Sequence, residues 1–193
     1  MRARAIAAEP TRRRIVQSAM TLHAEQGVLA TSYEQTARRA GTAPAAVYRH
    51  FSTLADPLPA CARSTHVLQP VTPALVADIF RGLDRPSSRM EVLVRGTCEC
   101  YERDGAWLRA ARYEEHLVEP LEELARVQRA NLALLVRAAL TGTKASERAT
   151  RVMAALSDFP VWEKLRVAGL NAAEATEQVL ELVRDQLGKE NTP

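Results

Sequence analysis

Apolar residues recur every three or four positions along most of the chain, which is the period of an amphipathic α-helix. Residues 121–136 and 175–187 are clear examples, and Pro or Gly residues separate such stretches from their neighbours. No run alternates Val, Ile and Thr with polar residues as a half-buried strand does. The pattern therefore predicts an all-α protein. At 47% hydrophobic residues but 5% aromatic ones, its core is expected to be mostly aliphatic and rich in Ala.

Residues 31–51, TSYEQTARRAGTAPAAVYRHF, predict two short helices joined by a tight turn. A capping box starts the first helix, with Thr31 as the hydroxyl and Glu34 as the carboxylate three residues on. Gly41 ends this helix, because Gly accepts the left-handed conformation of a C-terminal cap. Pro44 suits the first turn of the second helix, where its missing amide matters least. Together they predict a helix-turn-helix, whose second helix enters the major groove of DNA.

Local signals also predict where other helices begin and end. The first ten residues are expected to form a loose arm, so that Thr11 caps the first long helix. The buried stripe of this helix is predicted to consist of Ile15, Ala19 and Leu22. Asp56 is expected to cap a linker helix over residues 57–68. Gly105 is expected to break a helix in the middle of the chain, and Gly188 to end the last one.

The helix-turn-helix stretch resembles the DNA-binding segment of the TetR family of bacterial repressors. The resemblance covers about residues 12–51 and rests on positions at fixed spacing: Gly27, Thr31, Ala37, Ala40-Gly41, Val47-Tyr48 and His50-Phe51. It implies an N-terminal three-helix helix-turn-helix domain, residues 1–52, followed by a helical ligand-binding and dimerisation domain, residues 53–193. It also implies that the linker helix transmits the ligand signal.

The start and the exposed side of the second helix are the predicted DNA contacts. The candidates are Thr31, Ser32, Thr42, Ala43, Pro44, Ala45, Ala46, Tyr48, Arg49 and His50. The resemblance implies that Tyr48 contacts a phosphate and that Arg49 or His50 lies near bases or backbone. Arg is the commonest reader of guanine, and Ala45 and Ala46 can touch a thymine methyl. The alternative is a three-helix packing unit without a DNA role.

Charge is distributed unevenly along the chain. Residues 1–52 hold eight arginines and three glutamates, a net charge of +5, whereas the remainder holds 18 basic and 20 acidic residues. A basic end on a nearly neutral body is typical of a domain that meets a polyanion, although a solvated charged surface is the alternative.

Leu54 stands where many relatives in the family carry a Lys, just after the helix-turn-helix. A Lys there meets a phosphate by the resemblance, so Leu54→Lys is expected to strengthen DNA binding. The alternative is that Leu54 packs between the domains and couples ligand to DNA.

The cysteines and the apolar runs give expectations about location. Cys61, Cys98 and Cys100 form no CxxC pair, and Cys98 and Cys100 point apart on a helix, so no disulfide is expected. No apolar run approaches the roughly 20 residues of a membrane span, and no signal peptide is visible. The protein is expected to be cytoplasmic and not to bind a membrane.

Aromatic residues with a few polar groups in the C-terminal domain predict a pocket for a small hydrophobic or amphipathic ligand. The candidates are Phe80, Cys98, Tyr101, Trp107, Arg112, Tyr113 and His116. The alternative is that the rings fill the core and that Arg112 lies on the surface.

Catalytic and metal signals are weak. His116 and Glu119 are one helical turn apart but lack a third ligand, and the sequence contains no nucleophile elbow, P-loop or Gly-rich phosphate loop. Neither an enzyme activity nor a cofactor is expected.

The last two helices are candidates for a homodimer interface, with Ala149, Met153 and Leu156 on one helix and Val179 and Leu182 on the other. The alternative is that these residues form the core of a single chain. A two-fold dimer matches a two-fold operator in double-stranded DNA.

The hypothesis is a ligand-responsive transcriptional regulator, a repressor released from its operator by a small molecule. The alternative is a DNA-binding protein controlled by a protein partner without small-molecule sensing.

Overall fold

The computed structural model describes residues 2–53, 55–65 and 70–190, with the side chains of residues 9–188 in those ranges. The regular structure of this part of the chain is helical throughout: α1 Arg2–Gln26, α2 Tyr33–Ala40, α3 Pro44–His50, α4 Leu58–Arg63, α5 Pro73–Ile79, α6 Pro86–Tyr113, α7 Glu119–Ala139, α8 Glu147–Leu156, α9 Phe159–Val167 and α10 Ala172–Glu190. The predicted all-α fold is confirmed. Leu54 and the predicted end of the linker helix, residues 66–68, lie outside the described residues.

The described residues form two compact units. Unit 1 is drawn from residues 1–66 and 104–126, and unit 2 from residues 67–103 and 127–193. Helices α6 and α7 contribute to both units, since the boundaries fall within them. The division into domains at residue 52 stays a prediction.

Unit 1 is built on α1, which packs against α2, α3 and α4. The predicted apolar stripe of α1 is confirmed, because Ile15, Ala19 and Leu22 are each at most 5% exposed. Val47 of α3 and Leu58 of α4 are fully buried in the same unit. The short helices therefore owe their stability to packing more than to their own length.

The capping box of α2 lies one residue later than predicted. Ser32, not Thr31, is the N-cap: its hydroxyl accepts from the N–H of Gln35 at 3.2 Å, and the Gln35 side chain accepts from the N–H of Ser32 at 2.7 Å. Thr31 is buried and its hydroxyl donates to the carbonyl of Gly27 at 2.7 Å, so it is committed to the preceding turn. Gly41 ends α2 with φ +62°, and Pro44 begins α3, as predicted.

Helix α1 begins at Arg2 and runs through Pro10, so the predicted loose arm and the Thr11 cap are wrong. Pro removes one hydrogen bond from a helix, but the neighbouring Ala and Arg residues are among the strongest helix formers. The helix therefore continues across the proline.

Gly105 does not break a helix and Gly188 does not end one, contrary to the prediction. Helix α6 is continuous through Gly105, and α10 continues past Gly188 to Glu190. A Gly inside a helix costs roughly 1 kcal/mol relative to Ala. The buried side chains of Tyr101 and Leu108 on either side of Gly105 offset this cost by packing.

Asp56 does not cap the linker helix. Its carboxylate instead accepts from the N–H groups of Ser52 and Thr53, at 2.7 and 2.9 Å, and from the Thr53 hydroxyl. These bonds, the Thr53 hydroxyl first, lower the pKa of Asp56. Helix α4 starts at Leu58 and ends at Arg63, before the predicted end near residue 68.

In unit 2, α10 packs against α8 and α9. Ala149 and Met153 of α8 and Val179 of α10 are at most 1% exposed within one chain. Three of the residues assigned to a dimer interface therefore belong to the intrachain core, which was the alternative interpretation. Leu156 and Leu182 remain half-buried.

Candidate nucleic-acid interface

Helix α3 presents one face to solvent and packs the other into unit 1. Tyr48 is 52% exposed, and Ala43, Pro44, Ala45 and Arg49 are also exposed. Thr42 and His50 are half-buried. The exposed residues and these two form a continuous surface at the start and along the outer side of α3. We call this surface, residues 42–45 and 48–50, the α3 face.

Three predicted DNA contacts lie outside the α3 face. Ala46 is 5% exposed and packs inward beside Val47, so its methyl group is not available to a thymine. Thr31 is 5% exposed, and its hydroxyl is bonded to the α1–α2 turn. Ser32 is half-buried, and its hydroxyl caps α2. At about 100° per residue, Ala46 lies about 200° around the helix from Tyr48 and about 100° from Ala45.

A buried tyrosine holds the outer tyrosine of α3 in place. The rings of Tyr33 and Tyr48 meet edge to face with centroids 4.6 Å apart. The Tyr33 hydroxyl donates to the carbonyl of Phe51 at 2.8 Å, and burial raises the pKa of Tyr33 to about 12. The Arg12 guanidinium lies over the Phe51 ring at 5.4 Å. The C-terminal end of α3 is thereby fixed to α1 and α2.

The first turn of α3 offers few hydrogen-bonding side chains. Its N-cap is Ala43, which has no side-chain cap, and Pro44 and Ala45 follow. Hydrogen bonding from the α3 face therefore falls to Thr42, Tyr48, Arg49 and His50. The arrangement suits apolar contact with a thymine methyl at the start of the helix and an arginine contact further along it.

Unit 1 also carries exposed arginines on α1 and α2. Arg13 and Arg14 of α1 and Arg38 of α2 are exposed. Arg39 is paired with Glu25 at 2.7 Å, and a shallow cleft of about 340 Å³ is lined by Leu22, Gln35, Arg38 and Arg39. Because exposed ion pairs are weak, the Arg39 pair can be exchanged for a phosphate at little cost.

The predicted ligand residues are divided between the two units. In unit 2, Phe80 is half-buried and Cys98 and Tyr101 are buried; in unit 1, Trp107 is buried, Arg112 pairs with Glu115 at 3.5 Å, and Tyr113 and His116 are exposed. Tyr113 is 79% exposed, so its ring lines no enclosed site in the described chain.

Tyr101 belongs to an aromatic cluster that sequence reasoning did not assemble. Its ring meets Phe159 at 5.3 Å and Trp162 at 6.0 Å, and its hydroxyl donates to the carbonyl of Ser157 at 3.0 Å. Burial also raises the pKa of the Cys98 thiol, on the same helix, to about 11. This cysteine therefore stays protonated and unreactive at neutral pH.

The buried donors without a hydrogen-bond partner among the described residues include three on Trp and Gln side chains. They are Nε1 of Trp107 in unit 1 and, in unit 2, Nε1 of Trp162 and Nε2 of Gln128. Each residue is 4% exposed. A buried donor without an acceptor costs about 1–3 kcal/mol, so such groups mark places where an acceptor is favourable.

Two further findings concern the described part of the chain. It contains no group of three or more His, Cys, Asp or Glu side chains arranged to hold a metal ion. Within the same residues, none of the helices combines the length and apolar character needed to cross a membrane.

The helix-turn-helix region matches a known family. Residues 15–55, which include the second half of α1 and all of α2 and α3, match the model described as bacterial regulatory proteins, tetR family. No curated protein matches the chain.

Solved structures share the fold over nearly the whole chain. The multidrug binding protein EbrR, complexed with imidazole, is 20% identical over 91% of this chain and 88% of its own, with a TM-score of 0.64. NalD of Pseudomonas aeruginosa, the secondary repressor of the MexAB-OprM multidrug efflux pump, is 21% identical over 93% and 96%, with a TM-score of 0.69. A transcriptional regulator from Rhodococcus sp. Rha1 is 19% identical over 94% and 99%, with a TM-score of 0.73. These similarities establish the fold, a helix-turn-helix followed by a helical domain.

His23 of α1 gives the DNA-binding unit a predicted sensitivity to acid. It is 3% exposed, its Nδ1 has no partner among the described residues, and burial lowers its pKa to about 4. In the unfolded chain this histidine takes up a proton below its usual pKa of about 6.5, whereas in the folded chain it stays neutral down to about pH 4. The stabilisation is therefore complete above about pH 6.5 and is lost as the pH falls toward 4, by roughly 3 kcal/mol.

Chemical denaturation across pH 4–7 measures this effect. His23→Leu should flatten the dependence, whereas His116→Gln, which changes an exposed histidine of unit 1, should leave it as it is. If the free energy of unfolding depended on pH equally in the wild type and in His23→Leu, His23 would not be the group responsible for the acid sensitivity.

Proposed function

We propose, from the match of residues 15–55 to the model of the tetR family of bacterial regulatory proteins, that the chain is a DNA-binding regulator: a homodimeric repressor released from its operator by a small molecule. The observation that carries the proposal is the α3 face, a short helix fixed by buried packing with Tyr48 and Arg49 turned outward. The net charge of +5 in residues 1–52 supports it. Its place of action is then the cytoplasm, where bacterial DNA is.

The α3 face supplies the proposed contacts with the major groove. Arg49 reads a guanine, Tyr48 holds a phosphate, and Ala45 touches a thymine methyl. Thr42 and His50 contact the backbone at either end of α3. Two such faces in a dimer must lie about one DNA turn apart, roughly 34–36 Å, to occupy both half-sites.

The proposed ligand is small, largely hydrophobic, and carries a hydrogen-bond acceptor. The buried donors of Gln128 and Trp162 support an acceptor in unit 2, the unit to which Phe80 and Cys98 also belong. EbrR is described as a multidrug binding protein and NalD as a repressor of a multidrug efflux pump, which supports a ligand of this class. The ligand acts by binding two conformations of the dimer unequally.

The second candidate is control by a protein partner without small-molecule sensing. Tyr113, the last residue of α6, is 79% exposed, and Leu117, four residues later in unit 1, is 59% exposed. Exposed apolar residues of this size are typical of protein interfaces. Thermal shift with a panel of hydrophobic amines, acids and phenols distinguishes the two: compounds that raise the melting temperature and weaken DNA binding support the ligand, and a panel without effect supports the partner.

DNA binding should be strong at low salt and should weaken steeply as salt rises, by about 0.9 in the log–log slope for each phosphate neutralised. Tyr48→Phe should weaken binding to all sequences, and Arg49→Ala should in addition relax the sequence preference. The control is Arg85→Ala, which removes the same charge from an exposed position in unit 2.

Fluorescence anisotropy on fragments selected by the wild-type protein gives these affinities. Binding that does not respond to salt, or an Arg49→Ala variant with the selectivity of the wild type, would argue against the proposed interface.

The dimer should depend on the half-buried apolar residues of α8 and α10. Leu156→Lys combined with Leu182→Lys should give a helical monomer, since an interface that buries both charges loses several kcal/mol. Val179→Lys should instead unfold the chain, because Val179 is fully buried within it. Leu134→Lys, at a position 51% exposed on α7, is the neutral control.

Light scattering and circular dichroism measure mass and helicity. A double variant that remains dimeric would place the interface elsewhere.

A further inference from the structure

Glu114, the residue directly after α6, is bonded to the turn between α1 and α2. Its Oε2 accepts from the backbone N–H groups of Val28 and Leu29, each at 2.9 Å. All of these residues belong to unit 1, yet they are 85 or 86 positions apart in sequence. A carboxylate that accepts two amide hydrogen bonds makes charge-assisted contacts, which are stronger than neutral ones. We call this arrangement the Glu114 clasp.

Gly27 leaves the space that the clasp occupies. It adopts φ +92°, and a Cβ added to it would lie 2.3 Å from Oε1 of Glu114. Gly27 is therefore needed for its conformation and also for the close approach of the carboxylate. Gly41, at the end of α2, has a similar left-handed φ of +62° but no atom within 4 Å of its added Cβ. The two glycines share a left-handed backbone and differ in the contact with Glu114, so Gly41 is a matched control for Gly27.

The remaining bonds of the turn are local. The Thr31 hydroxyl donates to the carbonyl of Gly27, and the Gln26 side chain donates to the carbonyl of Ala30, each at 2.7 Å. Together with the bond from the Gly27 N–H to the carbonyl of His23 at 2.9 Å, they hold the shape of the turn within residues 23–35. The clasp connects the turn to the end of α6, which is a single unbroken helix from Pro86 to Tyr113.

We infer that Glu114 is a positioning residue for operator binding. It fixes the α1–α2 turn, and with it the α3 face, against the C-terminal end of α6. A dimer in which both clasps are closed accepts a narrow range of half-site spacings, and opening the clasps widens that range. The inference rests on the proposed function, since it requires a dimer that reads two half-sites.

The test uses a DNA fragment retained by the wild-type protein, with its two-fold centre located by footprinting. One to three base pairs are inserted at that centre, each of which shifts one half-site by about 3.4 Å and about 34°. Affinities are measured for the wild type, Glu114→Ala, Glu114→Gln and Glu123→Ala. The last variant removes a carboxylate of unit 1 that is paired locally with Arg126.

The wild type and Glu123→Ala should prefer the original spacing. Glu114→Ala should keep its affinity for an isolated half-site but lose about tenfold or more of the preference for the original spacing. Glu114→Gln, whose amide oxygen still accepts, should lie between them. Amide exchange of Val28 and Leu29 should be faster in Glu114→Ala, while its helix content stays that of the wild type.

Two results overturn the inference alone. One is a Glu114→Ala variant that binds DNA with the spacing preference of the wild type. The other is a variant that loses affinity equally for every spacing and for the half-site in proportion to a lower melting temperature, which is a structural role. A wild-type protein that retains no DNA overturns the proposed function itself.

The glycine pair checks the same geometry independently of the Glu114 variants. Gly27→Ala should reproduce the loss of spacing preference, and adding it to Glu114→Ala should change the preference little further. Gly41→Ala should lower the stability without altering the preference. Equal effects of the two glycine substitutions on the preference would also overturn the inference.

Discussion

The burial of one face of α3 is the constraint on which the rest of the DNA-binding unit depends. A helix of seven residues is not stable alone in water, because the cost of nucleation is not recovered over so few hydrogen bonds. Val47 is fully buried and Phe51 is 4% exposed, and both lie against other helices of unit 1. The helix therefore exists where its neighbours place it. Its orientation is a property of α1, α2 and the turns between them.

This dependence decides which residues are left to meet DNA. A helix of two turns has few positions, and Ala46, Val47 and Phe51 are used for packing. The outward positions hold two small apolar residues near the start, then Tyr48 and Arg49. Recognition by such a surface relies on few hydrogen bonds, so the placement of the whole unit matters more to selectivity than it would for a longer reading helix. Tyr33 serves both needs, since its ring supports Tyr48 and its hydroxyl ties down the end of α3.

The sequence predicted helices well and the partners of polar side chains poorly. The apolar period identified the stripe of α1, and the Gly41 turn and Pro44 start were confirmed, because these signals act within a few residues. Pro10 and Gly105 were misread as breaks, since long-range packing outweighs a local preference of a few kcal/mol or less. The capping box was placed one residue early, because Thr31 and Ser32 are both suitable caps and the choice depends on a bond from Thr31 to Gly27.

Glu114, His23 and the aromatic cluster around Tyr101 carry no local signal that would have revealed their roles. Each depends on contacts between distant segments, and the glutamate is one of several charged residues in a polar stretch. The signal that was available lay at the other end of the contact, in Gly27, one of the positions of the family resemblance. The structure gives this glycine two roles: the position needs a left-handed backbone and must also admit a carboxylate.

The relative size of two energies determines what the clasp can control. Burying a large apolar side chain contributes about 1.5–3 kcal/mol, and Ile15, Leu22 and Val47 are three of those in the core of unit 1. The clasp contributes hydrogen bonds to a charged group, at about 1.5–3 kcal/mol each before solvent weakens them, and Glu114 is half-buried while Leu29 is 59% exposed. The buried core therefore contributes more to the free energy of unfolding than the clasp does. Opening the clasp leaves a folded unit whose attachment to α6 has changed, and a contact of this intermediate strength can alter orientation without unfolding the helices that read DNA.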